Sequence, residues 1–185
     1  MTQRERIADE LLVLRSQEGD LAAFEELVGR WQQRLWRHAW RLLGREDMAW
    51  DVLQEAWIGI GRGLLRLEDA AAFPAWAYQI VSHKCRDRIR QERRRRKLSE
   101  AYWERLAQAE SDAAATSRPD VDLGEALRQL SGPDRAILAL RYDEGFDTAG
   151  IAAILGVPEG TVKSRLHWAR KRLRAILEEN SHEPA

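Results

Sequence analysis

The sequence predicts an all-α protein of two small helical domains joined by a flexible linker, and three observations carry that prediction. Apolar residues recur at three- and four-residue intervals through two long blocks. The strict alternation of half-buried strands is nearly absent, and five prolines in 185 residues leave the helical runs largely uninterrupted. Between the blocks, from residue 99 to 122, Ala, Ser, Asp and Glu take over and the periodicity fades.

The first block holds three helices. Residues 1–19 read as a lead-in. Phe24, Leu27, Val28, Trp31, Leu35, Ala39 and Leu42 then form one continuous apolar face, with Gly19-Asp20 as its start and Gly44 as its stop. A second helix is expected from about Asp47, burying Leu53, Trp57, Ile60 and Leu64. Glu68 to Pro74 reads as a loop, and a third helix begins near Ala75 with Trp76, Ile80 and Ile89 among its anchors. Trp31, Trp36, Trp40, Trp50, Trp57 and Trp76 fall at helical spacing, so most of them are expected in the core. In the linker, Tyr102, Trp103 and Leu106 suggest a short helix before Arg118-Pro119-Asp120 closes the stretch.

The second block opens with Leu123, Leu127 and Leu130, then Ser131-Gly132-Pro133 and a helix through Ala136 to Tyr142. Thr148 to Arg172 (TAGIAAILGVPEGTVKSRLHWARKR) is the sharpest local signal. A short helix ends at Leu155, Gly156 supplies a left-handed turn residue, and another helix starts near Pro158. Ala152 is small where the two helices approach, and Val157 and Val162 fill the space between them. Val162, Leu166, Ala169 and Leu173 face inward. Thr161, Lys163, Ser164, Arg165, His167 and Trp168 are left on the outer N-terminal half, the part that enters a major groove in a helix-turn-helix.

Composition limits the function. Hydrophobic residues make up 44% and charged residues 32%, which excludes a chain disordered throughout and one embedded in a membrane. The longest apolar stretch, Ala70 to Tyr78, is broken by Pro74 and falls far short of the roughly 18 residues a span requires. The start, MTQRERIADE, has neither an apolar core nor a small-residue cleavage site, so no secretion and no membrane insertion are expected. Cys85 is the single cysteine, which excludes an intrachain disulfide and a cysteine-rich zinc site and suggests a reducing, cytoplasmic location.

Thirty basic and thirty acidic residues cancel formally, but they are segregated. Lys84 to Lys97 carries nine basic residues against Asp87 and Glu92. Lys163 to Arg174 carries six and no acid, while Leu98 to Asp122 carries six acids against Arg105 and Arg118. Two basic patches separated by an acidic stretch suit two contacts with one polyanion.

These motifs carry a resemblance. GTVKSRLHWARKRLR, preceded by LRQLSGPDRAILALRYDEGFDTAGIAAILGVP, resembles region 4 of bacterial sigma-70-family RNA polymerase sigma factors. DVLQEAW resembles the region 2 signature that docks on the polymerase. AAFPAWAYQIVSHKCRDRIRQERRRRK resembles the segment that melts and reads the −10 element. The order and spacing, over most of residues 20 to 176, are similar to the extracytoplasmic-function (group IV) class. The resemblance implies region 2 over 20–98, a linker over 99–122, region 4 over 123–178 and a tail over 179–185. It implies docking on core RNA polymerase through Asp51, Gln54 and Glu55, which share a face at i, i+3 and i+4. It implies −10 contacts from Trp76, His83, Lys84, Arg86, Arg90, Arg93 and Arg94, with a base pocket at the loop Glu68 to Phe73. It implies −35 contacts from Thr161, Lys163, Ser164, Arg165, His167, Trp168 and Arg170. Promoter DNA, core polymerase and an anti-sigma factor are the implied partners.

The chain departs from the family pattern at four places. Met48-Ala49-Trp50-Asp51 replaces an acidic run, His83 stands where Asn is frequent, Gly150 where Glu is usual, and Trp168 where Arg is frequent.

Two other readings have less support. Asp47, Asp51 and Glu55 lie at i, i+4 spacing as a Mg²⁺-holding trio would, yet no His joins them. No Gly-rich phosphate loop or Ser/His/Asp set appears, and His83 and Cys85 point in different directions on a helix. No catalytic residue, metal, cofactor or small-molecule substrate is therefore expected. A stand-alone helix-turn-helix regulator would explain the second block alone but not the acidic helix and arginine helix of the first.

Overall fold

The computed structural model describes residues 2–103, 126–127 and 129–181, and among these it contains seven α-helices and no strand. The helices are α1 Gln3–Gln17, α2 Leu21–Leu43, α3 Glu46–Leu64, α4 Phe73–Trp103, α5 Gly132–Tyr142, α6 Thr148–Leu155 and α7 Glu159–Ser181. The greater part of the stretch read as a linker, and the end of the tail, lie outside the described residues; α4 itself runs on to Trp103.

Capping chemistry sets most of the boundaries. The Asp20 carboxylate accepts from Ala23 N at 3.1 Å to start α2, and Gly44, at φ 70°, ends it. Ser131 and Asp147 cap α5 and α6 in the same way, through Asp134 N and Gly150 N. Pro74 follows the first residue of α4, where a missing N–H costs nothing, so the helix begins two residues before the expected Ala75.

The region read as a lead-in is a helix. Thr2 and Glu5 form a reciprocal capping box at its start, and Leu12, Val13 and Asp9 are buried. Asp9 accepts from Arg30 Nε of α2 at 2.7 Å, which compensates its burial. Gln17 then donates to Leu64 O and Leu67 O, tying α1 to the end of α3.

The first bundle packs around Trp31, with Phe73 and Tyr78 of α4 edge-on to it at 5.4 and 6.1 Å between ring centroids. The deepest anchors of α4 are Phe73, Ala77, Tyr78, Val81 and Cys85; the expected Trp76, Ile80 and Ile89 are half-buried beside them. Burial pushes the Cys85 thiol up to about 12, so it is packing rather than a nucleophile. Among the tryptophans, Trp31 is core and Trp36, Trp57 and Trp76 pack against it, whereas Trp40 and Trp50 are exposed.

The two blocks share one hydrophobic cluster, because α5 packs on α2 and α6 on α4. Gly132 makes the approach possible: a Cβ there would stand 2.8 Å from Leu42 O and 2.9 Å from Arg41 O. Arg135 Nη2 donates to the same Arg41 carbonyl, and Arg41 pairs with Asp143 at 2.8 Å. Arg34, 4.3 Å above the Trp31 ring, forms an ion pair with Glu144. Phe146 packs edge-on against Tyr78 at 5.6 Å. Burial, then the neighbouring Glu144 carboxylate, holds the Tyr78 phenol well above its usual range.

Candidate functional site

Helix α3 presents Asp51, Gln54 and Glu55 to solvent on one face, while Leu53 is buried and Trp57 half-buried on the other. Two of the three are not idle. Glu55 accepts from Lys84 Nζ at 3.1 Å, and Asp51 lies 3.6 Å from Arg88 Nη2. Both cations stand one turn apart on α4, so the acids expected to meet a polymerase are paired with basic residues of the helix expected to meet DNA. Arg88 is a residue that sequence reasoning passed over, since its partner is remote in the chain. Such exposed pairs contribute little stability and exchange partners readily. Asp47 is held instead by Arg45 at 2.6 Å, and that hydrogen bond keeps its carboxyl below the usual range.

Along α4 the expected −10 residues divide. His83, Arg90, Arg93 and Arg94 are exposed, with Arg90 3.9 Å from Asp87. Lys84 is engaged by Glu55. Arg86 is half-buried with its guanidinium against Gly156, where a Cβ would meet Nη1 at 2.9 Å. Trp76 is packed, its ring edge filling the space left by Gly63, whose Cβ would lie 2.8 Å from Cζ2. The base pocket expected over Glu68 to Phe73 needs correction at its end. Asp69 accepts from Ala71 N to start a single 3-10 turn over Ala70–Ala72, and Phe73 is fully buried beneath it, out of reach of any base.

The helix-turn-helix forms where the sequence places it. Helix α6 ends at Leu155, Gly156 turns the chain at φ 59°, and α7 follows from Glu159. Val162, Leu166 and Ala169 are buried, and Leu173 half-buried. Lys163, Ser164, Arg165 and His167 are exposed, as is Trp168 at 61%. Thr161 is the exception, half-buried at the rim rather than fully outward. Glu159 accepts from Lys163 at 2.9 Å and from Thr148 Oγ1 at 2.7 Å; both lower its pKa, and the bond to Thr148 clips the two helices together. Trp168 carries Lys171 over its ring at 5.3 Å and His167 edge-on at 5.5 Å. Arg170 donates Nε to Leu166 O and lies at a groove that also touches Trp40 and Arg41 of α2.

Among the described residues no group of three or more His, Cys, Asp or Glu side chains is placed to hold a metal ion. None of the described helices is long and apolar enough to cross a membrane.

Comparison with known proteins covers both blocks. The family model described as Sigma-70 region 2 matches residues 27–95, and the one described as Sigma-70, region 4 matches residues 120–173. The ECF RNA polymerase sigma factor SigL of Mycobacterium tuberculosis is 35% identical over 147 residues, 78% of this chain and 83% of that protein. The ECF RNA polymerase sigma-E factor of Escherichia coli is 33% identical over 180 residues, 91% of this chain and 94% of the other. Among solved structures, the sigma factor RpoE in complex with the anti-sigma factor NepR, from Bartonella quintana, is similar with a TM-score of 0.65 and 26% identity. That match covers 84% of this chain and 96% of that one. CnrH in complex with the cytosolic domain of CnrY matches with a TM-score of 0.63 and 25% identity, over 94% and 99% of the two chains. The acidic helix, the arginine helix and the helix-turn-helix thus occur together in a chain that belongs to the extracytoplasmic-function sigma factors of the sigma-70 family, bacterial transcription initiation factors that bind core RNA polymerase and promoter DNA.

Proposed function

We propose that the chain, acting without catalysis of its own, docks on core RNA polymerase through α3 and reads two promoter elements through α4 and α7. The observation that carries this reading is one polypeptide presenting an exposed acidic face, a basic helix beside it, and a helix-turn-helix with its outer face open to solvent. Region 2 spans about 20–98 and region 4 about 123–178, with the linker and tail as their remainder. The location is cytoplasmic, where the polymerase works. An anti-sigma factor is a further partner, as the solved complexes of RpoE with NepR and of CnrH with CnrY suggest by similarity.

Asp51, Gln54 and Glu55 meet arginines of the polymerase, and docking exchanges Arg88 and Lys84 for those partners by charge-assisted hydrogen bonds. Alanine at both Asp51 and Glu55 should weaken core binding about tenfold or more and leave thermal unfolding nearly unchanged, since both side chains are exposed. Competition for core as effective as that of the wild type would remove the assignment.

In the −10 region, the loop from Glu68 and the start of α4 form the pocket for the captured base, with His83 at its wall and the packed, half-buried Trp76 as its floor. Lys84, Arg90, Arg93 and Arg94 hold phosphates, as cations along a helix edge do, and Arg86 joins them once its guanidinium leaves Gly156. In the −35 region, Lys163, Ser164, His167 and Trp168 reach base edges. Thr161 supports that contact from the rim, the exposed Arg165 reaches either base edges or phosphates, and Arg170 holds the backbone. Lys163→Ala and His167→Ala should each cost about 1–3 kcal/mol on the preferred −35 sequence and little on others, whereas Arg170→Ala should weaken all sequences alike. A binding-selection experiment in the presence of core distinguishes the two patterns. The overall reading rests on run-off transcription: the chain added to core polymerase should yield defined start sites. A specific duplex complex that forms equally well without core would favour a stand-alone regulator instead.

A further inference from the structure

The exposed side of α3 carries two rows of side chains. Asp47, Asp51 and Glu55, at i, i+4 and i+8, make an acidic row. Beside it runs Trp50, Gln54 and Ile58, again at i, i+4 and i+8, with Trp50 36% and Ile58 56% exposed. Trp50 and Ile58 bracket Gln54 in this row, so that two exposed apolar side chains border the polar residues of the same face. Trp50 is also held in place. Its ring lies 5.5 Å from that of Trp36, and Trp36 in turn stacks on Trp40 at 6.1 Å with 9° between planes. Three indoles thus form a tier across α2 and α3, so that Trp50 offers a rigid aromatic face at little further cost in conformational entropy.

We propose that Trp50 and Ile58 are the apolar anchors of the surface that docks on core RNA polymerase, bracketing Asp51, Gln54 and Glu55. The inference rests on the α3 docking reading and adds the specificity residues to it. Two features identify the occupant. The anchors are continuous with the acidic row, sharing its helix face and turn spacing. The charge pattern suits a cationic partner: the acidic row runs beside Trp50, its Asp51 and Glu55 sit in exposed ion pairs that an arginine of the polymerase could take over, and the guanidinium plane of that arginine would cover Trp50. A buried aromatic anchor of this kind commonly dominates an interface, while the charges around it set orientation.

The test is equilibrium binding of the full chain to purified core polymerase. It compares Trp50→Ala, Trp50→Phe, Ile58→Ser and the Asp51→Ala/Glu55→Ala double variant with wild type, with thermal unfolding and sedimentation of each. Trp50→Ala should lose about tenfold or more in affinity, Ile58→Ser a smaller factor, and Trp50→Phe should recover most of the loss. Ile58→Ser decides the matter if removal of Trp50 disturbs the indole tier enough to lower the unfolding temperature. Wild-type affinity in Trp50→Ala and Ile58→Ser, with a weakened double variant, would overturn the anchors and leave the acidic docking face standing. Wild-type affinity in all of them would overturn both. Loss of a self-associated species in Trp50→Ala, with core affinity unchanged, would assign the tier to contacts between copies of this chain and overturn the proposal.

Discussion

Lowering the pH from 7.5 to 5 should remove about 2 kcal/mol of folding stability through His38 alone. The ring is buried between α2 and α4, edge-on to Tyr78 at 5.1 Å. Its Nε2 lies 2.8 Å from Ser82 Oγ. Ser82 donates its single hydroxyl hydrogen to Tyr78 O at 2.8 Å, so His38 is the donor in its own bond to Ser82. Burial, and then the charge of Arg41, lower the His38 pKa to about 3. The unfolded chain takes up this proton near pH 6.5, and the folded chain does so only near pH 3. Stability is therefore complete above about pH 6.5 and declines as the pH falls toward 3, by up to about 5 kcal/mol in all. That is a large share of the roughly 5–15 kcal/mol that holds a typical domain together. Urea unfolding at both pH values, in wild type and in His38→Gln, measures the effect. The glutamine can still donate to Ser82 but has nothing to protonate, so its pH dependence should be shallower. Parallel curves for the two proteins would show that His38 does not carry the acid sensitivity.

Arg34→Met should destabilise the contact between the two helical blocks by roughly 2–3 kcal/mol. Glu144 keeps only 11% of its side chain exposed, so losing Arg34 strands a nearly buried carboxylate beside Tyr78 and Phe146. The remaining exposure lets water soften the penalty below that of a fully buried pair. Gly132→Ala attacks the same seam from its other end, because backbone oxygens of Arg41 and Leu42 cannot move aside as a side chain can. Both variants should give a larger hydrodynamic radius at unchanged helix content, as α5 to α7 leave α2 and α4. An unchanged radius in small-angle scattering of the double variant would mean that the shared apolar cluster holds the seam without them. The seam bears on function through simple geometry. Elements at −10 and −35 stand about 25 base pairs apart by their names, which is about 85 Å along B-form DNA at about 3.4 Å per base pair. On the proposed reading of −10 by α4 and −35 by α7, the packing of α6 against both holds the two reading helices far closer than that, so reading both elements at once would require the seam to release.

The helices with clean periodicity and chemical punctuation were legible without a structure. Asp20 and Gly44 bound α2, and Gly156 separates α6 from α7, because capping hydrogen bonds and left-handed backbone are decided within a few residues. The outward residues of α7 followed from the same period, except Thr161 at its rim. Helix α1 was not legible. It buries Leu12, Val13 and a paired Asp9 while Ile7, Leu11 and Leu14 face outward, so no single apolar face marks it. The tryptophans divide on similar grounds: periodicity places them on helices, but only tertiary packing, with α4 laid over Trp31, decides that Trp31 is covered and Trp50 is not.

The sequence by itself determined that the chain is helical, that it carries a helix-turn-helix, and that acidic and basic helices are segregated within it. These are local properties, written in the spacing of neighbours. Only the tertiary structure decided which charges meet. Glu55 pairs with Lys84, Asp51 with Arg88, and Arg34 with Glu144 across 110 residues of chain, and Arg86 rests against the turn of the helix-turn-helix. No periodicity encodes such partners, because an ion pair depends on where two helices cross in space, and that crossing is set by the packing of side chains remote from both.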